Sequence, residues 1–272
     1  MNILTINILV ALFCLIVGYL FGSIPTSVWV GKVFFHQDPR DYGSHNAGGT
    51  NAGRLWGKKV GVIIIILDML KTIAPIYAIW AVLTYAKFDY NGIVGAGWTD
   101  VIEANHMHPL MANVIDFYDA NLNSLYAIQW PVYWVVPIGA MLGHCWPVFA
   151  QFKGGKAASM FMGTTLLTSW MLGFLPGFFY LGTLKWKKMV SLSAILQAIF
   201  VSTITWIWAI LIMIPDFIPA NLKWLPMYGP LLNPNWVYAI VVTILGAVMV
   251  ARHHENIKRI REGTERKITW MK

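Results

Sequence analysis

The residues best able to do chemistry are gathered in GSHNAGGTNAGR at 43–54. Gly43, Gly48, Gly49 and Gly53 let the backbone turn its N–H groups inward, and such groups make a concave anion site. Ser44, Asn46, Thr50, Asn51 and Arg54 add directed donors. A run this rich in glycine is not expected to fold as buried helix or strand. Three further polar motifs sit at the ends of apolar stretches. GSIPTS at 22–27 places Ser23 and Ser27 around Pro25, which disfavours helix at Ile24. LGHCWPVFAQFKGGKAA at 142–158 presents His144 and then Lys153, Gly154, Gly155 and Lys156. Two lysines and two glycine N–H groups can converge there on phosphate oxygens at a helix start. The spacing is not that of a Walker loop. ARHHENIKRIREGTERK at 251–267 supplies Arg252, His253, Glu255 and Asn256, then a basic amphipathic tail suited to an anionic surface.

The elements that position these motifs are set by hydropathy. The chain has 272 residues, 57% hydrophobic and only 12% charged, where a soluble domain is nearer a quarter charged. An all-α integral membrane protein follows, one polytopic domain over 1–272. Apolar stretches at 4–22, 60–86, 131–149, 190–214 and 235–251 are each near the roughly 20 residues that span hydrocarbon. The stretch 157–186 is too long for one comfortable span and too short for two full ones. It reads as short segments 157–172 and 173–186, either thin spans or a re-entrant hairpin. About seven transmembrane segments result, with the N-terminus outside and the C-terminus cytoplasmic. In that orientation all but Lys71, Lys87 and Lys223 of the 20 lysines and arginines face inside. The same map puts every polar motif on the cytoplasmic face. It makes 87–130 an extracytoplasmic loop insertion and 252–272 a basic cytoplasmic tail. The first stretch lacks a small-residue cleavage site and is expected to be a retained helix.

The net charge of +8 sits at span ends. It therefore speaks for topology and an anionic ligand or lipid surface, not for nucleic acid. Cys14 and Cys145 form no CxxC and no metal spacing, so no metal and no disulfide framework are expected. Gly18 and Gly22 make a small-xxx-small pattern for helix packing. Asp68 and Lys71, at i and i+3 in the second apolar stretch, are a self-neutralising pair or a functional one. His36 and Asp41 match an HxxxxD spacing used by another class of glycerolipid acyltransferase, but two fixed positions in six arise often by chance. No internal repeat is evident. This weighs against the rival reading, a membrane transporter of organic phosphates, which would usually show inverted repeats. A lipid-binding scaffold would leave the donor-rich turns unexplained.

Together the motifs resemble a known family, the bacterial acyl-phosphate:glycerol-3-phosphate acyltransferases called PlsY. The family's blocks read approximately SIPxA, GSGNPGATNxxR, GHxFPxFxxFKGGKG and RHxxNIxRLxxGxE. This chain has SIPTS at 23–27, GSHNAGGTNAGR at 43–54, GHCWPVFAQFKGGKA at 143–157 and RHHENIKRIREGTE at 252–265. Departures include His45 and Ala157, where the family has glycine, together with Ala47 for proline and Gly49 for alanine. The resemblance implies transfer of a fatty acyl group from acyl phosphate to the 1-hydroxyl of sn-glycerol 3-phosphate. Lysophosphatidic acid and phosphate are the products, the first step of phospholipid synthesis in a bacterial cell membrane. It implies no cofactor. Its partners are the two substrates and membrane lipids. Carried over by position, Ser23, Ser44, Asn46, Gly48, Gly49, Thr50, Asn51, Arg54, Lys153, Gly154, Gly155 and Lys156 bind or neutralise phosphate. His144, His253 and Asn256 position glycerol phosphate. Ser23, His144, Lys156, His253 and Asn256 are thus the catalytic candidates.

Overall fold

A computed structural model describes residues 3–85, 134–168, 170–214 and 236–268. The expected loop 87–130, with Lys87, and Lys223 lie outside the described residues. The described residues are helical throughout, without strands. In chain order they are α1 (Ile3–Gly22), α2 (Thr26–Phe34), a 3-10 turn (Pro39–Asp41), α3 (Gly49–Trp56) and α4 (Lys58–Tyr85). Then come α5 (Val135–Cys145), a second 3-10 turn (Val148–Ala150), α6 (Ala158–Thr168) and α7 (Trp170–Lys187). The last are α8 (Val190–Met213), α9 (Trp236–Ala251) and α10 (His254–Arg261). By length and composition Ile8–Phe34, Lys58–Ile79 and Val190–Leu211 can cross a membrane. The pair α9 and α10, bent by 59°, makes a fourth if counted as one span.

The core of the bundle is a backbone-to-backbone seam between α1 and α5. Cβ atoms placed on Gly18 and Gly22 would run into the carbonyls of Val136 and Ala140. Those on Gly139 and Gly143 would strike the carbonyls of Leu15 and Tyr19. Small residues on both helices permit this approach, and in lipid such packing replaces the hydrophobic effect as the cohesive force. The Gly18/Gly22 pattern thus acts as expected. Around the seam, α4 meets α6 where Gly163 lies against Met69, and α7 meets α8 through Phe179 stacked on Phe200 at 4.4 Å. The α9 helix joins through Tyr238, its ring 4.7 Å from that of Trp134.

Three expectations are corrected. The glycine-rich run is helical over its second half, α3, with Gly49, Asn51 and Ala52 buried. Its glycines allow this, since Gly53 packs against Gly61 of α4 with no room for a Cβ on the latter. The stretch 157–186 is not divided at 172–173, because α7 runs unbroken from Trp170 to Lys187 with Pro176 inside it. Proline is tolerated in such helices when neighbours satisfy the freed carbonyls. Two short helices, α2 and α10, follow the spans they were expected to end. As expected, α1 stops before Ile24 and Pro25.

Candidate active site

The glycine-asparagine loop is built around one side chain. Asn51 is 1% exposed. Its Oδ1 accepts from Ser44 N–H at 2.9 Å, and its Nδ2 donates to Pro39, Tyr42 and Asn46 carbonyls at 2.7, 3.1 and 3.2 Å. The amide of Asn51 is therefore engaged in shaping the loop. Phe35 stacked on Trp56 at 4.7 Å, and Trp56 Nε1 donating to Gln37 at 3.0 Å, fasten α3 to the end of α2. His45 turns the loop with φ 53, and its Nδ1 lies 3.0 Å from the Arg40 carbonyl.

The lysine-glycine loop is held from three sides. Gly155 N–H donates to the His144 carbonyl at 3.0 Å. Arg252 donates to the Gly155 carbonyl at 3.3 Å from both Nε and Nη2. Arg40, paired with Asp38 at 2.6 Å, donates to the Ala150 carbonyl at 2.9 Å. Gly154 and Gly155 are required by contact, because Cβ atoms there would meet the His144 carbonyl and Nε2. They serve close approach to His144, and neither lines the cavity described next. Lys153 is exposed and Lys156 turns inward.

Between these loops and the start of α8 lies a cavity of about 380 Å³. Of the candidate residues, Ser44, Asn46, Gly48, Gly49, Thr50, Asn51, Arg54, His144, Lys156, His253 and Asn256 line it. Ser23, Lys153, Gly154 and Gly155 do not. Ser23 is fully buried at the α1–α5 seam, where its Oγ accepts from Val148 N–H at 3.4 Å. The cavity has two characters. Arg54, Lys156, Arg259 and Arg266 bring a cluster of positive charge, while Ile65, Met162, Val190 and Ala194 add apolar lining.

A hydrogen-bonded chain links polar residues of the lining. Lys156 Nζ donates to Asn256 Oδ1 at 2.5 Å. Asn256 Nδ2 donates to Glu265 Oε1 at 2.7 Å, which also accepts from Ser191 Oγ at 2.6 Å. Arg259 Nε reaches the other oxygen at 2.8 Å. Burial pushes the Glu265 carboxyl up, but the bonds from Ser191, Asn256 and Arg259 outweigh it and hold the group below its usual range. Burial, with Arg259 next in importance, holds the Lys156 ammonium below the usual lysine value.

Glu265, Ser191, Arg259 and Arg266 escaped sequence reasoning. Gly263, with φ 72, turns the chain back after α10. Ile268 N–H then docks on the Lys188 carbonyl at 2.7 Å, so residues 262–268 strap the cavity rim. The only available signal was the final glutamate of RHHENIKRIREGTE.

His253 is 4% exposed. Burial pushes its pKa down to about 4, so the ring is neutral near pH 7. Its Nδ1 lies 2.8 Å from the Met249 carbonyl, which places the proton on Nδ1 and leaves Nε2 the acceptor. The polar lining can thus hold an anion, and His253 supplies a proton acceptor. His36 and Asp41 make no contact with each other among the described interactions, and His36 is exposed. The HxxxxD spacing is a coincidence. Among the described residues no cluster of three His, Cys, Asp or Glu could hold a metal.

A sequence profile of the glycerol-3-phosphate acyltransferases matches residues 12–263. A glycerol-3-phosphate acyltransferase of Streptococcus thermophilus is 33% identical, the match covering 93% of this chain and 91% of that one. One from Enterococcus faecalis is 29% identical over 94% and 91%. The fold is similar to crystal structures of PlsY, an integral membrane glycerol 3-phosphate acyltransferase. The lysophosphatidic acid form gives a TM-score of 0.63 at 25% identity, over 95% of each chain. The glycerol 3-phosphate form gives 0.62 at 26% identity, over 95% and 96%. With the motifs, the bundle and the cavity all in agreement, this chain belongs to the glycerol-3-phosphate acyltransferase family and is a multi-pass membrane acyltransferase.

Proposed function

We propose that the acyl donor is acyl phosphate and that the product is lysophosphatidic acid, released with inorganic phosphate. One observation carries this: a single cavity is lined by both a cationic cluster and apolar side chains. Glycerol 3-phosphate needs the first, and acyl phosphate needs both. The 1-hydroxyl oxygen attacks the acyl carbonyl carbon, the new C–O bond forms, and the carbonyl carbon's bond to the phosphate oxygen breaks. The hydroxyl proton passes to His253 Nε2 or to the departing phosphate. Ser44, Asn46, Thr50, Arg54 and Lys156 hold phosphate, while His144 and Asn256 orient the acceptor. A mixed anhydride is already activated, so positioning and stabilisation of developing charge suffice.

The decisive experiment supplies purified protein with glycerol 3-phosphate and, in separate arms, acyl phosphate, acyl-coenzyme A or acyl carrier protein. Phosphate and lysophosphatidic acid form only in the first arm. Turnover with either thioester at a comparable rate would refute the donor assignment.

The topology proposed is seven spans with the N-terminus outside and the cavity at the cytoplasmic face of a bacterial membrane. His45, Lys153 and His254 are all exposed. Single cysteines at these positions, with Cys14 and Cys145 replaced, should react only with reagent on the cytoplasmic side of sealed vesicles. Labelling from the outer side at any of them would overturn this topology.

A further inference from the structure

Behind the cavity wall lies a charged pair that acyl transfer has not yet used. The Asp68 and Lys71 side chains are 2% and 8% exposed within an apolar stretch of α4. Lys71 Nζ stands 2.8 Å from Asp68 Oδ1 and donates at 2.7 Å to the Ile24 carbonyl. That carbonyl is at the break between α1 and α2, where Pro25 has no N–H to offer. Ion pairs buried in a bilayer are costly unless each partner is held by further bonds.

Mutual neutralisation accounts for the pair but not for its other neighbours. Ser159 Oγ donates to Asp68 Oδ2 at 3.4 Å, and His144 Nδ1 lies 3.9 Å from Oδ1. Both Ser159 and His144 line the cavity, and Asp68 does not. On the far side of the ring, Gly155 packs against His144 Nε2 so closely that no Cβ would fit. The imidazole is therefore clamped between a carboxylate and a glycine backbone. At 3.9 Å the carboxylate makes no hydrogen bond to Nδ1, but its charge favours the proton on that nitrogen and leaves Nε2 as acceptor.

We propose that Asp68, held by Lys71 and the Ile24 carbonyl, is a positioning residue for acyl transfer that fixes the tautomer and orientation of His144. It acts through His144, with Ser159 as a second contact, both of which line the cavity. This rests on the acyltransferase reading above.

The test measures kcat and KM for glycerol 3-phosphate, with acyl phosphate as donor, in a set of variants. Asp68→Asn/Lys71→Met removes both charges together, so no lone charge is left buried. Its kcat should fall roughly 10- to 100-fold, as small misplacements near a reacting centre do, with KM changed less than about threefold because the phosphate-binding cations are untouched. Adding His144→Ala should cost nothing more, because the two changes act through one group. Asp68→Glu keeps the charge balance and moves the carboxylate, so it should lower kcat alone. Melting temperature in detergent is followed throughout. If the paired variant does not fold, Asp68→Glu decides by itself. Wild-type kcat in the folded paired variant, or in folded Asp68→Glu, would overturn the proposal. So would multiplicative losses on adding His144→Ala. An inactive wild type would instead overturn the acyltransferase reading.

Discussion

Lys156 and Asn256 are 100 residues apart in the chain and 2.5 Å apart in space. Because Asn256 gives its Nδ2 to Glu265, its Oδ1 must face Lys156, and the ammonium is aimed into the cavity. A lysine on a glycine loop would otherwise sample many rotamers, each a loss of affinity for a small dianion.

Lys156→Ala and Arg54→Ala should each lower kcat/KM for glycerol 3-phosphate by roughly 10- to 150-fold, about 1.5–3 kcal/mol for one charge-assisted hydrogen bond. Lys59 is exposed and outside the cavity, so Lys59→Ala should be silent. Equal, small effects at all three positions would remove Lys156 and Arg54 from the site.

Stability should fall as the solution is acidified. The folded pKa of His253 is near 4 against an ordinary value of 6.5. Between those values the unfolded chain binds more protons than the folded one, so stability is full above 6.5 and lost as pH falls toward 4. Glu265, also depressed, adds a loss as pH falls below its usual value of 4.5. The His253 share is roughly 3–4 kcal/mol at about 1.4 kcal/mol per unit. Melting temperatures from pH 7.5 to 4 should show the slope, and His253→Gln should flatten it between 6.5 and 4.

No acyl-enzyme should form. Cys145 is fully buried and does not line the cavity. Its neighbour His144 points elsewhere, since consecutive helical side chains diverge by about 100°. Cys145→Ala should therefore keep most activity. Intact-protein mass spectrometry after incubation with acyl phosphate alone should show no added lipid, and a stoichiometric adduct chased off by glycerol 3-phosphate would refute direct transfer.

His45→Gly should stabilise the protein by about 1 kcal/mol. A non-glycine residue in the left-handed region costs roughly 1–2 kcal/mol, and His45 sits there with φ 53. Its exposed contact to the Arg40 carbonyl returns only part of that. A melting temperature unchanged or lowered in His45→Gly would show that this contact dominates.

The cavity was largely legible in sequence because its residues come in dense local runs. Ser44 to Arg54 read as a donor cradle, and Lys156, His253 and Asn256 stood at span ends where the charge map put them together. The sequence could not separate residues that touch ligand from residues that shape the loop. Asn51 and Arg54 look alike in a motif, yet Asn51 has its amide tied to backbone on both sides. Gly154 and Gly155 suggested phosphate-binding N–H groups, while their role is to let the chain approach His144. Glu265 and Ser191 were illegible for the opposite reason. One of two serines at a helix start and one of three glutamates in a basic tail acquire meaning only when the strap brings them within hydrogen-bond reach. The α3 helix was missed because glycine propensity was weighed without the facing Gly61, which makes a glycine-rich helix a good partner.

The strap at 262–268 also has a consequence in time. Translation delivers Glu265 and Arg266 after every other wall of the cavity. A nascent chain can have all its apolar helices synthesised, with Arg54 and Lys156 in place, and still leave Asn256 free to turn its amide. The rim of the cavity is thus completed in one step, when Ile268 reaches Lys188, rather than gradually as the bundle assembles.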